Sequence, residues 1–253
     1  MNDIKKYLDE MADKFNTIEF IANDPVQFPK QFWFKPDIEI AAFLASTIAW
    51  GNRKYIIKSC EKMLFGVMQG KPYDFVMGEQ WRDIDPSMNI HRTFFGSDLI
   101  YLCNWLRVIY QSENNLETLF YQKSVWDGIV YLRETFYSVN KEYTKHISNP
   151  QGNQHKGGSA CKRINMMLRW LCRNDGIVDL GIWQAVKPSE LMMPLDVHVA
   201  RIGRALGLIT RKQDDRITVE QLTAKLREYC PEDPTKYDFA LFGIGESQKH
   251  VNL

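Results

Sequence analysis

Apolar residues recur along most of this chain at the three- and four-residue steps of an α-helix. Ile4, Leu8, Met11 and Phe15 share one face and predict a first helix. Pro25, Pro29 and Pro36 interrupt the pattern. Asp37 then reads as an N-cap for residues 38–50, which are so apolar all round that they predict a buried helix. Gly51 and Asn52 break it. Residues 53–68 predict the next helix, with Ile56, Ile57, Cys60, Met63 and Leu64 inward. Residues 70–96 read as irregular. Asp98 reads as the cap of a helix carrying Leu99, Leu102, Leu106 and Ile109, and Ser124 with Asp127 forms a capping-box pattern for a helix through Phe136.

The stretch SNPQGNQHKGG, residues 148–158, is polar and glycine-rich and reads as a linker. It would join lobes 37–147 and 159–253 of a single helical unit spanning 1–253. Helices are predicted over about 159–173, 196–206 and 218–229, the last with Thr218 and Gln221 as a capping box. Pro231 stops that helix, and a final one begins near Pro234. Strict two-residue alternation is absent, and only short segments such as 32–34 could be strand. The predicted fold class is all-α, a two-lobed helical bundle.

Composition narrows the function classes. Hydrophobic residues make up 45% and charged residues 25% of the chain, as in a folded protein and unlike a disordered one. A net charge of +1 gives no global attraction to nucleic acid, so any such surface must be local. The five cysteines are odd in number and none lies at metal-ligand spacing from another. Reduced thiols are expected, with no metal site and no cofactor. The first fifteen residues lack an apolar signal core and no segment reaches membrane-spanning length, so a cytoplasmic protein without a membrane partner is expected.

The chemistry concentrates between Lys162 and Leu208. In CKRINMMLRWLCR, Ile164, Met167, Leu168 and Leu171 form one face, while Lys162, Met166, Arg169 and Arg173 fall on another. Three cations on one stripe, after Gly157 and Gly158 at a helix start, suit a phosphate backbone. They equally suit a solvated basic face. In MPLDVHVARIGRALGL, Asp196 occupies the N-cap position, and Val199, Ile202, Ala205 and Leu206 form the buried side. His198 reads either as a hydrogen-bond donor to the site or as an ordinary first-turn residue.

PLDVHVARIGRALGL resembles the segment that carries the essential aspartate in the helix-hairpin-helix, Gly-Pro-Asp (HhH-GPD) superfamily of DNA glycosylases. KRINMMLR resembles that superfamily's helix opening with the catalytic lysine. IEIAAFLASTIAWGNRKYIIKSCEKML resembles its first buried helix, turn and following helix. The separation of Lys162 from Asp196 is nearest the archaeal 8-oxoguanine branch. The superfamily's L-P-G-hydrophobic-G-x-K hairpin is replaced here by GGSACK, and the cluster-binding cysteines of the endonuclease III branch are absent. A closer resemblance, over nearly the whole chain, is to a bacterial family known as a domain of unknown function. Its hallmarks match SACKRINMMLRW, residues 173–183, PLDVHVARI and DPTKYDFALFGIG.

The glycosylase resemblance implies a base-excision repair enzyme for damaged DNA, acting on 8-oxoguanine or another damaged purine. Asp196 would stabilise positive charge on the sugar, and Lys162 would form a Schiff base that permits strand scission. Gly157, Gly158, Arg163, Arg169, Arg173, His198 and Arg201 would face DNA. Trp50, Asn52, Trp170 and Phe239 would line the pocket for the extruded base, although such aromatics, Tyr237 included, also serve as core. A non-catalytic nucleic-acid-binding module, a small-molecule or RNA-processing enzyme, and a partner-binding helical protein fit the same residues.

Overall fold

The computed structural model describes residues 2–141, 145–152 and 157–247. In chain order it forms α1 (Asn2–Phe15), α2 (Ile18–Ala22), α3 (Lys35–Thr47), α4 (Arg53–Glu61) and α5 (Pro72–Met77). A hairpin follows, β1 (Asn89–His91) and β2 (Phe94–Phe95), and then α6 (Gly96–Ser112) and α7 (Val125–Asn140). The remainder is α8 (Lys162–Cys172), α9 (Val197–Ala205), α10 (Arg216–Tyr229) and α11 (Tyr237–Ser247). The structure is predominantly helical, as the periodicity predicts. Among the described residues no helix is long and apolar enough to cross a membrane.

Several boundaries differ from the sequence expectation. Asp37 is not the cap of α3. The helix starts at Lys35, because Pro36 fits the first turn, and the Asp37 carboxylate accepts the Tyr73 N–H at 2.8 Å. Asp98 lies inside the first turn of α6 and accepts the Phe95 N–H at 2.7 Å. Asp215, not Thr218, caps α10, accepting the Thr218 N–H at 3.1 Å. Residues 70–96 hold α5 and the hairpin, while 32–34 form no strand. Part of the expected linker, residues 153–156, lies outside the described residues.

Two units form. One comprises Ile21–Lys123 and Asp127–Ser148. Its centre is α3, buried from Ile38 to Thr47. Phe43 packs on Trp105 of α6 (ring centroids 5.1 Å apart), which also meets Phe136 of α7 at 5.8 Å. Glu39 is an acid within this apolar helix. It accepts hydrogen bonds from the Tyr110 hydroxyl (2.7 Å) and the Leu116 N–H (3.1 Å).

The other unit comprises Met1–Phe20, Ser124–Trp126 and Asn149–Leu253. The N-terminal segment thus belongs with the C-terminal helices. Helix α1 lies along α11, and α11 also packs on α9. Asp9 of α1 accepts hydrogen bonds from the Tyr237 hydroxyl (2.9 Å) and pairs with Lys236 (2.7 Å) and Lys5 (2.6 Å). Burial would raise its pKa, but the bonds from Lys236, Lys5 and Tyr237 outweigh this and hold it at about 2.

Candidate functional site

Lys162 opens α8, and the chain reaches it through a tight path. Ser159 bridges Asp215 in antiparallel fashion, its N–H donating to the Asn149 carbonyl at 2.8 Å, and the Arg216 N–H donates to the Gly158 carbonyl at 2.9 Å. A Cβ on Gly158 would stand 1.9 Å from the Pro150 carbonyl oxygen, and one on Gly157 would stand 2.6 Å from an Asp215 carboxylate oxygen. These glycines permit two stretches of chain to approach each other. Cys161, between them and the lysine, takes a left-handed backbone conformation (φ 48°), which a non-glycine residue rarely adopts, and its N–H donates to the Ser159 hydroxyl at 3.1 Å.

The basic stripe of α8 is corrected. From Ile164 to Cys172 the helix is buried on every side. Arg169 is 3% exposed and Arg173 7% exposed. Their charges are met by carboxylates rather than by solvent. Arg169 pairs with Asp238 through a short hydrogen bond and with Asp179 at 3.3 Å. Arg173 pairs with Asp175 (2.7 Å), Asp233 (2.8 Å) and Asp179 (2.9 Å). Both guanidinium groups lie over the Phe239 ring, at 4.4 and 5.6 Å from its centroid. Phe239 is therefore a buried platform for cations, not an open stacking face for a base. Trp170 is wholly buried as well, with its indole nitrogen lacking a hydrogen-bond partner among the described residues.

Asp196 caps α9 as expected. Its Oδ1 accepts the N–H groups of His198 and Val199, both at 2.9 Å. Asp196 is half-buried, as is Lys162. What relates the two is Asp238, in the first turn of α11, which the sequence reading did not single out. Burial pushes the Asp238 carboxyl up to about 6, against the lowering pull of Arg169. Asp196 adds to the rise and Lys162 opposes it. Lys162 and Asp196 thus both act electrostatically on one buried carboxylate. Asp238 stands between two aromatic residues, Tyr237 and Phe239, and no local pattern marks it as part of a site.

The other expected DNA-facing residues take structural positions. The His198 ring meets Phe242 edge-on at 5.9 Å, with its Nδ1 buried and lacking a hydrogen-bond partner among the described residues. Arg201 is exposed and donates to the Gly245 carbonyl at 2.9 Å. Arg163 is half-buried, and burial lowers its pKa. Trp50 and Asn52 belong to the other unit. Asn52 caps α4, accepting the Lys54 N–H at 3.0 Å. Trp50 stacks on His146, with centroids 5.3 Å apart and planes 20° apart. None of the five cysteines forms a disulfide, and no cluster of metal-ligating residues occurs among the described residues.

A family model described as "Protein of unknown function (DUF2400)" matches residues 24–247. The chain belongs to this family. The DUF2400 match takes in α3 to α11, and with them Lys162, Asp196 and Asp238. No curated protein and no solved structure matches the chain.

Proposed function

We propose that this chain is a DNA base-excision glycosylase for damaged purines, 8-oxoguanine among them, with a lyase step through Lys162. What supports this reading is that Lys162 opens α8 and Asp196 caps α9, both half-buried, with the pKa of the buried Asp238 carboxylate raised by Asp196 and lowered by Lys162. A lysine nucleophile and a carboxylate suit cleavage of a C1′–N bond through a Schiff base. The Lys162 amine bonds to C1′ as the C1′–N bond breaks and the base departs, taking a proton. Asp196 offsets the positive charge that develops on the sugar. Opening of the sugar ring, with a proton taken up by O4′, leaves a protonated imine at C1′. Loss of a C2′ proton to the departed base or water and departure of the 3′-phosphate then break the C3′–O bond. Attack requires the neutral amine, the proton of the ammonium form passing to water.

Borohydride trapping on duplexes that carry 8-oxoguanine or other damaged purines tests the reading. The expected outcome is a covalent protein–DNA adduct that disappears in Lys162→Gln. Salt-dependent DNA binding without base release or adduct would favour a non-catalytic nucleic-acid-binding module instead. Absence of both binding and adduct would end the proposal.

A further inference from the structure

The unit containing α3 and α6 holds an aromatic slot that its own chain fills. Trp50 is fixed on two sides. Its carbonyl is hydrogen-bonded to His91 Nε2 at 2.9 Å, and its ring meets the His91 ring edge-on at 4.9 Å. One indole face is covered by the imidazole of His146 in near-parallel stacking, and the same imidazole leans on Phe94 at 5.2 Å. At the end of the imidazole lies Asp98, which is 1% exposed. Its Oδ2 takes the Phe95 N–H. Its Oδ1 receives no hydrogen bond among the described residues, with His146 Nε2 at 3.6 Å and the Lys145 ammonium at 3.4 Å. His146 itself sits at φ 69°, in the left-handed region.

A flat ring between Trp50 and Phe94, with an N–H aimed at a buried carboxylate oxygen, is how a protein holds a nucleobase that presents a donor. We infer that the Trp50–Asp98 slot is a binding site for a planar heterocycle with a lactam N–H, of the guanine class, and that His146 is its built-in competitor. The imidazole imitates such a ligand poorly, since its nitrogen stops short of hydrogen-bond distance. A guanine N1–H would approach Oδ1 closely while the ring kept the stacking. Adenine offers a lone pair at the equivalent atom, which a carboxylate repels. His146 therefore lowers the apparent affinity in proportion to the time it fills the slot. The inference is independent of the lysine chemistry, because binding of a free nucleoside needs neither Lys162 nor a DNA strand.

His146→Gly empties the slot, and glycine suits the positive φ left behind. Guanosine, titrated calorimetrically, should bind this variant at least about tenfold more tightly than the wild-type chain. Asp98→Asn keeps an acceptor for the Phe95 N–H and should abolish the gain when added to His146→Gly, as should Trp50→Ala. Adenosine should gain much less. In the wild-type chain, saturating guanosine should shift the His146 imidazole resonances as the ring is displaced. A folded His146→Gly protein that binds guanosine no better than wild type overturns the inference. So does equal binding of adenosine, or a His146 ring undisturbed at saturation. Guanosine binding without any Lys162 adduct on damaged DNA would remove the glycosylase reading and leave the slot standing.

Discussion

Glu39 is buried inside an apolar helix because two neutral donors and a lysine converge on it. The Tyr110 hydroxyl and the Leu116 N–H are hydrogen-bonded to it, and Lys35 lies 3.8 Å away. Glu39→Ala strands both donors away from water and should destabilise the fold by about 2–4 kcal/mol in denaturant unfolding. Glu39→Gln keeps an acceptor and should lose less. The same logic explains why Arg169 and Arg173 misled. Residues seven and four apart share a helix face whatever that face touches. Two of their partners, Asp233 and Asp238, lie sixty or more positions away along the chain, while Asp175 and Asp179 are near in sequence. The placement of Lys162 at the start of α8 and of Asp196 before α9 was legible because both are local patterns, whereas their proposed roles rest on the resemblance. The Asp238 carboxylate that both act on is a product of tertiary folding.

Helices were readable as elements, and their first residues less so. Each misjudged cap involved a polar residue one to three positions inside the helix, where a side chain can still serve an early backbone N–H. Asp196 is the cap that held, and it separates two roles. Asp196→Ala removes the acceptor for two backbone donors and should lower stability by about 1 kcal/mol, read by thermal melting. Asp196→Asn should melt within a few tenths of a kcal/mol of wild type, since asparagine caps well. It should still abolish base release, and intact release in that variant would take Asp196 out of the mechanism. Before α8, Gly158→Ala would drive a methyl group into the Pro150 carbonyl. A loss of about 1–3 kcal/mol is expected from the forced backbone shift.

Across the whole molecule, acid and base act on different groups. Asp238 has a folded-state pKa raised to about 6, above the ordinary 3.8. The folded state therefore holds its proton more tightly than the unfolded chain. The associated stability is complete below the ordinary carboxylate pKa and is lost as pH rises through about 6. Asp9, held at about 2, runs the other way and loses its contribution only in stronger acid. Thermal melts from pH 4 to 8 should show wild type losing stability against Asp238→Asn as pH rises. The change should be on the order of 1–3 kcal/mol. A difference that stays flat across that range would mean that Asp238 titrates normally.

The pairing of Asp9 with Tyr237 spans 228 positions of chain. At about 5–20 residues per second, a ribosome needs roughly 10–50 s to travel that distance. For that interval α1 has been synthesised while the helix that receives it does not yet exist. Residues 21–148, which carry all of the other unit, emerge in between and can fold first. A nascent chain arrested before residue 237 should therefore expose α1 to protease while α3 is already protected. Helix α1 is therefore made before the rest of its unit and is among the last elements to find its place.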